Sequence, residues 1–230
     1  NNIIKIIFKK NFLLWFYTFL QNDAYKIKNI KGKNISFFCP NHLTLFRIET
    51  FYSKEPETIS WIESFRKQKN KKIIFWDIGA NIGVYSIYSS IFHKNKIEIT
   101  SFEPSVNNLR VLSRNISINK LLNNISINQL PISDREGEYI QFVENSFNEG
   151  AAFHNLNLSK KRNKYNQNKS TYKIYSTNLN NLAKQKNFKY PNYIKIDIDG
   201  NEKFLLDGAK KIFNNSKLKS VLIELDERNK

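Results

Sequence analysis

The sequence predicts an α/β protein built on a doubly wound, mostly parallel β-sheet. From Lys72 onward, short and almost wholly apolar segments alternate with segments of helical periodicity, and buried parallel strands are typically apolar on both faces. A glycine-containing turn follows the first of these strands, and carboxylates follow nearly all of them. The strand–helix–strand order implies right-handed crossovers, which place the ends of these strands at one edge of the sheet.

Composition limits the size of the protein and the nature of its partners. With 230 residues, 40% of them hydrophobic, the chain can form one large domain or at most two small ones. The formal net charge of +17 suggests an anionic partner such as nucleic acid, a membrane surface or a phosphorylated substrate. The lysines are scattered and the chain is rich in Asn, Lys and Ile, so compositional bias is the favoured explanation of the charge.

Cysteine and histidine usage argues against two kinds of stabilising site. Cys39 is the single cysteine, which excludes an intrachain disulfide and favours a reducing, cytoplasmic environment. The three histidines, His42, His93 and His154, share no spacing typical of metal ligands. A zinc site is therefore not expected.

Residues 1–70 are predicted to form an N-terminal helical preface. The uncharged apolar run from Phe12 to Leu20 is much shorter than the ~20 residues that a membrane span requires. A core helix is the favoured interpretation, and a basic amphipathic helix lying on a membrane surface is the alternative. Further along, Pro56 opens a segment in which Ile59 and Ile62 have helical spacing.

Residues 71–230 are predicted to form the α/β domain. In chain order, the predicted elements are strand "KIIFWD", helix "VYSIYSSIF", strand "KIEITSFEP", helix "SVNNLRVLSRNISINK", strand "NISINQLPIS", strand "GEYIQFVE", short helix "STNLNNLAKQ", strand "NYIKIDID", helix "NEKFLLDGAKKIF" and strand "KSVLIELDE". We expect Ser176 or Thr177 to cap the short helix. Residues 146–170 are predicted to be a long loop, and loops of that length are usually functional or disordered.

The predicted strand ends carry the candidate chemistry, because ligands of open α/β sheets bind beyond the carboxyl ends of the strands. The first strand ends at Asp77 and runs into D-x-G-x-N-x-G. In this motif Gly79 and Gly83 allow a sharp turn and a close approach to a ligand. Glu103 ends the next strand, where an acid can accept hydrogen bonds from ribose hydroxyls. These features indicate a nucleoside-type cofactor.

The turn after the first strand distinguishes between such cofactors. It lacks the G-x-G-x-x-G pattern that holds a pyrophosphate and the lysine of a P-loop. An acid at this turn would repel pyrophosphate, but it suits the amino-acid end and the sulfonium charge of S-adenosylmethionine. The sequence therefore predicts S-adenosylmethionine as the cofactor.

Four segments resemble the FkbM family of S-adenosylmethionine-dependent methyltransferases: "FWDIGANIGVYS", "SFEPSVNNLRVLSRNI", "NEGAA" and "IKIDIDGNEKFLLDGA". They occur in the family's order, and the resemblance extends from Glu55 to Asp226. It implies a class I methyltransferase (Rossmann-like) fold for residues 71–230. It also implies O-methylation of a hydroxyl on a sugar, glycan or natural product, as in glycan biosynthesis.

The end of the sequence departs from this pattern. Class I methyltransferases finish with two further strands that form a hairpin at the sheet edge, and none follows "VLIELDE" here. An open edge is prone to aggregation. We therefore expect the domain to be C-terminally truncated, with its edge strands missing.

The resemblance also implies roles for particular residues. The implied cofactor-binding residues are Asp77, Gly79, Ala80, Asn81, Gly83, Glu103, Pro104, Pro131 and Asp197. The implied substrate-side residues are Asn148, Glu149, Gly150 and Glu202. Arg47 and Glu55 are expected to cover the cofactor.

Asp197 and Asp199 match the turn beside the transferred methyl group and are the predicted catalytic residues. One of them could accept the proton of the acceptor hydroxyl, or the pair could bind a divalent metal. Glu202 and Asp226 could then add ligands. The alternative for Asp199 is a structural role, in which it forms a turn or caps the following helix.

Three other functions compete with this reading. The charge of +17 is compatible with an RNA methyltransferase. However, the basic residues show no aromatic-interleaved stripe, and "DIDG" stands where such enzymes have an N-P-P-Y type turn. A non-catalytic module that docks on anionic membranes through its N-terminal helix is the second alternative, and an NAD oxidoreductase ranks last. We expect a small-molecule or glycan acceptor rather than nucleic acid.

Overall fold

A computed structural model describes residues 12–22, 24–66, 71–157, 169–198 and 200–224. The helices are α1 (Phe12–Asn22), α2 (His42–Lys54), α3 (Pro56–Glu63), α4 (Val84–His93), α5 (Val106–Ile118), α6 (Leu179–Leu182), α7 (Glu202–Asp207) and α8 (Lys210–Phe213). The strands are β1 (Tyr25–Ile30), β2 (Lys33–Phe38), β3 (Ile73–Ile78), β4 (Ile97–Phe102), β5 (Ile125–Asn128), β6 (Glu138–Glu144), β7 (Asn155–Asn157), β8 (Ser170–Ser176), β9 (Tyr193–Ile196) and β10 (Ser220–Ile223).

The central feature is a five-stranded parallel sheet with the strand order β10-β9-β3-β4-β5. When these five strands are numbered by their order in the chain and read from β5 to β10, the sheet order is 3-2-1-4-5. At the end of β3, Ile78 lies beside Phe102 of β4 on one side and Ile196 of β9 on the other. The chain reverses its direction of winding between β3 and β9, where doubly wound sheets bind ligands. The predicted doubly wound sheet is confirmed.

Strand β3 is apolar except for Asp77, and the packing of its two faces explains this. Phe75 packs into a core formed with β1, β2 and helices α2 to α5. Its neighbour Trp76 packs into a second core formed with α6, α7 and α8. Successive side chains of a strand point to opposite faces. Both faces of β3 are covered by other elements, so apolar side chains are favoured on both.

A β-hairpin lies within the first 70 residues, which the sequence analysis described as helical. Strands β1 and β2 pair antiparallel around Lys31 and Gly32, whose positive φ values of 49° and 80° are those of a tight hairpin turn. The hairpin is docked on α5, where the Asn115 Oδ1 accepts a hydrogen bond from the Phe38 N–H at 2.7 Å. Its buried side chains share a core with β3, so the boundary near residue 70 does not separate two cores. The division into 1–70 and 71–230 stays a prediction.

Helix α1 is not the core helix that the sequence favoured. Its large apolar side chains are between 37% and 61% exposed. Over the described part of the chain, every helix is either too short or too polar to cross a bilayer.

A second, three-stranded antiparallel sheet of order β7-β6-β8 contains the strand predicted from "GEYIQFVE". It also contains β7, which lies inside the segment 146–170 that was predicted to be a loop. The Ile132–Thr177 bridge connects the chain leaving β5 to the end of β8. This sheet therefore lies close to the carboxyl end of the central sheet.

Two local predictions after β8 were wrong in detail. The residue that caps α6 is Asn178, whose side chain accepts a hydrogen bond from the Asn181 N–H, rather than Ser176 or Thr177. The helix predicted from "NEKFLLDGAKKIF" is divided into α7 and α8 at Gly208. A Cβ at Gly208 would lie 2.5 Å from the Ser133 carbonyl oxygen. This tertiary contact, rather than the local sequence, explains why the helix is interrupted at Gly208.

Candidate active site

A cavity opens at the carboxyl end of the central sheet, which is where open α/β sheets bind their ligands. Its lining includes six of the predicted site residues: Gly79, Asn81, Glu103, Pro104, Pro131 and Asp197. The sheet order explains the convergence, because the chain leaves β3, β4 and β9 at adjacent points of one edge.

The turn after β3 forms the floor of the cavity. The Gly79 and Ala80 N–H groups donate hydrogen bonds to the Phe102 carbonyl at 2.9 and 3.0 Å. Gly79 has a φ of 81°, and a Cβ there would lie 1.8 Å from the Asp197 carbonyl oxygen. Only glycine fits, because both the backbone conformation and the space exclude a side chain. Asn81 follows with a φ of 50°, which asparagine tolerates better than most residues.

Glu103 is held by backbone groups at the wall of the cavity. Its Oε2 accepts a hydrogen bond from the Asn81 N–H at 2.7 Å, and its Oε1 accepts one from the Ser105 N–H at 2.9 Å. Burial raises the pKa of Glu103 to about 7. Each carboxylate oxygen has a further lone pair, so the side chain can accept hydrogen bonds from a ligand without losing these contacts.

The "NEGAA" segment is fastened over the glycine turn. The Ala151 carbonyl accepts hydrogen bonds from Asn81 Nδ2 at 3.0 Å and from Asn108 Nδ2 at 3.1 Å. The Gly150 N–H donates to Asn108 Oδ1 at 2.7 Å, and Arg47 Nε donates to the Gly150 carbonyl. Ala151 reaches the cavity lining, so this segment acts as its cover.

Three predicted substrate residues in this segment do not line the cavity: Asn148, Glu149 and Gly150. Glu149 instead pairs with Arg110 and accepts a hydrogen bond from Asn41 Nδ2. Its observed contacts fasten the segment to α5 and to the start of α2.

Lys195 is a buried cation that attracts the carboxylates of Asp77 and Asp197 at the ends of β3 and β9. Its side chain is 1% exposed, and its Nζ lies 2.7 Å from Asp197 Oδ2 and 4.9 Å from the centre of the Tyr85 ring. Burial opposes ionisation of both partners, but their attraction prevails. It leaves the pKa of Asp197 below its usual value and the pKa of Lys195 above its usual value. Asp197 is therefore an ionised carboxylate at the cavity wall.

Asp77 lies beneath the glycine turn rather than on the cavity wall. It is 1% exposed, and its Oδ2 accepts a hydrogen bond from Ser86 Oγ at 2.5 Å. Its Oδ1 has no hydrogen-bond partner among the described residues. Burial raises the pKa of Asp77, and the nearby Lys195 opposes that rise. In this structure Asp77 therefore contacts residues that support the site from below, such as Ser86 of α4.

Ala80 and Gly83 also lie outside the cavity lining. Gly83 is the N-cap residue of α4 and has a φ of 87°. A Cβ at Gly83 would lie 2.4 Å from a methyl group of Leu112. This glycine therefore serves the packing of α4 against α5.

Three carboxylates meet beyond the ends of β9 and β10. Oxygen atoms of Glu55, Asp197 and Glu224 lie within 4.8 Å of one another, close enough to share a divalent cation. Lys54 Nζ lies 3.0 Å from Glu55 Oε1, so with Lys195 two of the three carboxylates already have a cationic partner. Burial and the repulsion of Asp197 and Glu55 raise the pKa of Glu224 to about 7. The lysines offset part of the charge that would attract a metal.

One of the remaining predicted residues supports a turn, and the other two lie at positions that the structure does not describe. Glu202 Oε1 accepts hydrogen bonds from the Gly200 N–H at 3.1 Å and the Ile198 N–H at 3.3 Å, so Glu202 stabilises the turn after β9. Asp199 and Asp226 lie outside the described residues. Catalysis by Asp199, and a metal shared by Asp197 and Asp199, stay predictions.

His154 is a cavity residue that the sequence analysis considered only as a metal ligand. Its Nδ1 accepts a hydrogen bond from the Asn145 N–H at 3.4 Å, which assigns the ring proton to Nε2. That Nε2 is buried and has no hydrogen-bond partner among the described residues. Burial lowers the pKa of His154, so the neutral ring can offer one N–H to a ligand. The available signal in the sequence was its position, two residues after the end of the "NEGAA" segment.

The strand order 3-2-1-4-5, the glycine turn after the first strand and the acid at the tip of the second define a Rossmann-like methyltransferase domain of the S-adenosylmethionine type. The family described as "Methyltransferase FkbM domain" matches residues 77–230. The chain belongs to this family.

Several solved structures are similar to this chain at low identity. FkbM methyltransferase from Methylobacillus flagellatus KT is 16% identical, with 80% of this chain and 44% of that chain covered and a TM-score of 0.45. Precorrin-6y C5,15-methyltransferase from Geobacter metallireducens GS-15 is 14% identical, with 74% and 60% covered and a TM-score of 0.38. TYW2 from M. jannaschii, solved in complex with AdoMet, is 20% identical, with 45% and 42% covered and a TM-score of 0.32.

The chain thus spans 44% of the length of the FkbM structure. A comparison with curated protein sequences gave no match.

Gly79→Ala should destabilise the protein much more than Gly32→Ala. Both glycines have φ near 80°, but the space around Gly32 is open, whereas a Cβ at Gly79 meets the Asp197 carbonyl. We expect a loss of about 1 kcal/mol in the free energy of unfolding for Gly32→Ala, from backbone conformation alone. Gly79→Ala should lose about 3 kcal/mol or more, because the β3–β9 junction must open as well. Urea unfolding measures both, and equal losses would contradict the close approach.

Lys195→Met should lower the free energy of unfolding by about 3–5 kcal/mol at pH 7.5, because it strands buried carboxylates without a counter-charge. The pKa of Asp197 is depressed in the folded protein, so the pair stabilises the fold above pH ~4 and loses this effect as the pH falls further. The difference between variant and wild type should therefore be smaller at about pH 3 than at pH 7.5. Lys210→Met, at an exposed lysine, is the control and should change little at either pH in urea unfolding.

Proposed function

We propose that this chain forms the cofactor-binding part of an S-adenosylmethionine-dependent O-methyltransferase that acts on a hydroxyl of a sugar, glycan or natural product. The observation that carries the proposal is the single cavity in which Gly79, Glu103 and Asp197 meet, at the switch point of the sheet. The proposed cofactor and the proposed acceptor rest on different parts of the site.

The proposal that the cavity binds S-adenosylmethionine rests on how the lining residues differ from one end of the cavity to the other. The Glu103 carboxylate, aimed by two backbone N–H groups, would accept hydrogen bonds from ribose hydroxyls. Leu130, Pro131, Ile132 and Phe142 form an apolar wall that suits a purine ring. At the other end, the ionised Asp197 would lie near the positive end of the cofactor. The absent Cβ of Gly79 lets the Asp197 backbone approach the turn that forms the floor of the cavity.

Methyl transfer to a hydroxyl requires few protein groups. S-adenosylmethionine supplies a methyl group on a sulfonium that requires no further activation. The protein must hold the acceptor oxygen in line, exclude water and receive the hydroxyl proton. Asp197, which Lys195 keeps ionised, would orient the hydroxyl. Glu224, with its pKa of about 7, is better matched than Asp197 to accept a proton at neutral pH.

The charges around Asp197 favour a neutral, hydroxyl-bearing acceptor. Glu55, Asp197 and Glu224 converge here, and Lys54 and Lys195 only partly balance them. A phosphate backbone entering this space would be repelled by the carboxylates. Sugar hydroxyls, in contrast, donate hydrogen bonds to carboxylates.

The cofactor proposal predicts that S-adenosylhomocysteine binds the wild-type protein in titration calorimetry and that Glu103→Ala weakens binding by about tenfold to a hundredfold, because a hydrogen bond to a charged group is lost. Binding should weaken as the pH falls below about 7, since protonation neutralises Glu103. Glu98→Ala, at the opposite half of the same strand, is the matched control and should bind normally. If the wild type does not bind, a non-catalytic module is the better description.

The acceptor proposal predicts transfer of tritiated methyl from S-adenosylmethionine to uncharged sugars in a mixed panel, with none to RNA. The rate should rise with pH through about 7, as Glu224 loses its proton. Glu224→Gln should reduce transfer by about a hundredfold and leave S-adenosylhomocysteine binding unchanged, because Glu224 does not line the cavity. Glu57→Gln, at an exposed acid on α3, is the control. Label found only in RNA would reverse the acceptor assignment.

A further inference from the structure

Helix α1 presents an apolar surface that the proposed enzyme function does not use. Eight of its large side chains are exposed: Phe12, Leu13, Leu14, Trp15, Phe16, Tyr17, Phe19 and Leu20. No charged residue occurs from Phe12 to Leu20. In the strand that follows along the chain, Tyr25 and Ile27 of β1 are also exposed. Soluble proteins rarely expose contiguous apolar surface of this kind without a binding function.

The distribution of these side chains around the helix indicates what kind of surroundings they need. At 100° per residue, the eight apolar side chains cover all faces of α1 rather than one stripe. The rings of Phe12 and Phe16 stack at 5.8 Å, and those of Trp15 and Phe19 stack at 5.9 Å. A protein groove or a second copy of the helix would cover one face only. A lipid interface can surround an apolar helix on several sides.

The length of the helix limits how deeply it can enter a bilayer. Its 11 residues extend over about 16 Å, roughly half of the ~30 Å hydrocarbon core. The helix is therefore long enough to sit within one leaflet. Tryptophan and tyrosine, which α1 contains, are favoured at the boundary between lipid headgroups and acyl chains.

The charge next to the helix is complementary to anionic lipid. Residues 1–48 contain seven lysines and Arg47 against a single acid, Asp23, and so carry seven of the 17 net positive charges. Four of these lysines lie on the hairpin that follows α1. Lys26 and Lys31 pair with Glu49 and Glu63, yet their side chains remain 44% and 46% exposed. Such basic clusters beside an apolar helix attract anionic headgroups.

We propose that α1 and the lysines of the β1–β2 hairpin form a docking surface for an anionic lipid bilayer. The apolar side chains of α1 enter the headgroup and acyl boundary, and Lys26, Lys31 and Lys33 contact the lipid phosphates. Lys28 is not included, because its Nζ donates hydrogen bonds to the Ile48 and Glu49 carbonyls. This attachment is independent of the cavity, because neither α1 nor the hairpin contributes to its lining.

Vesicle co-sedimentation tests the proposal. The wild-type chain should pellet with vesicles of mixed phosphatidylglycerol and phosphatidylcholine, and should bind pure phosphatidylcholine at least tenfold more weakly. Trp15→Ser combined with Phe19→Ser should weaken binding to the mixed vesicles by tenfold or more. Leu122→Ser combined with Tyr139→Ser removes two apolar side chains that are 65% and 72% exposed elsewhere, and it should bind as the wild type does.

Two further measurements separate lipid docking from its alternatives. Binding should shift the Trp15 emission to shorter wavelength, and Trp15→Phe should abolish this shift while retaining most of the sedimentation. Far-ultraviolet circular dichroism must match between the two double variants, which excludes misfolding. The proposal is overturned if the wild type stays in the supernatant, or if both double variants bind equally. It is also overturned if sedimentation velocity shows self-association through α1 without vesicle binding.

Discussion

The close approach of β3 and β9 at their carboxyl ends is the constraint on which the site depends. The chain leaves β3 through Gly79, and the Asp197 carbonyl occupies the place of a side chain there. Because the two backbones are in contact, the turn after β3 and the acid after β9 face one cavity rather than two separate surfaces. The same turn is fixed on its other side by the Phe102 carbonyl, which brings Glu103 to the same rim.

Buried charge is the second organising feature, and it follows from the first. Bringing strand ends together also brings their carboxylates together, which would repel one another in a medium of low dielectric. Lys195 lies between Asp77 and Asp197 and attracts both. Lys54 does the same for Glu55 at the rim. Among the described residues Glu224 has no such ion pair, and its proton affinity is high, so neighbouring carboxylates acquire different chemical characters from their surroundings.

The two proposed surfaces of the protein are built on different physical principles. The cavity is formed by backbone geometry and by polar groups that neighbouring residues hold in place, such as the Ala151 carbonyl with its two asparagine donors. The α1 surface depends on exposed apolar area and on local positive charge, and it needs little positional accuracy. A reaction site requires polar groups that are held at defined positions. Attachment to a fluid lipid interface requires only exposed apolar area and positive charge.

The sequence by itself determined the parallel sheet, the glycine turn and the acid at the tip of β4, because apolar periodicity and glycine placement are local properties. It also identified six residues of the cavity lining, since the strand ends of a doubly wound sheet must converge. Tertiary structure alone decided the hydrogen-bond partners of Asp77 and Glu202, the pairing of Lys195 with Asp197, the position of His154, and the exposure of α1. Those outcomes depend on contacts between residues far apart in the chain. Alternating lysine and isoleucine in β1, or an apolar helix with no polar face, do not specify locally what will cover them.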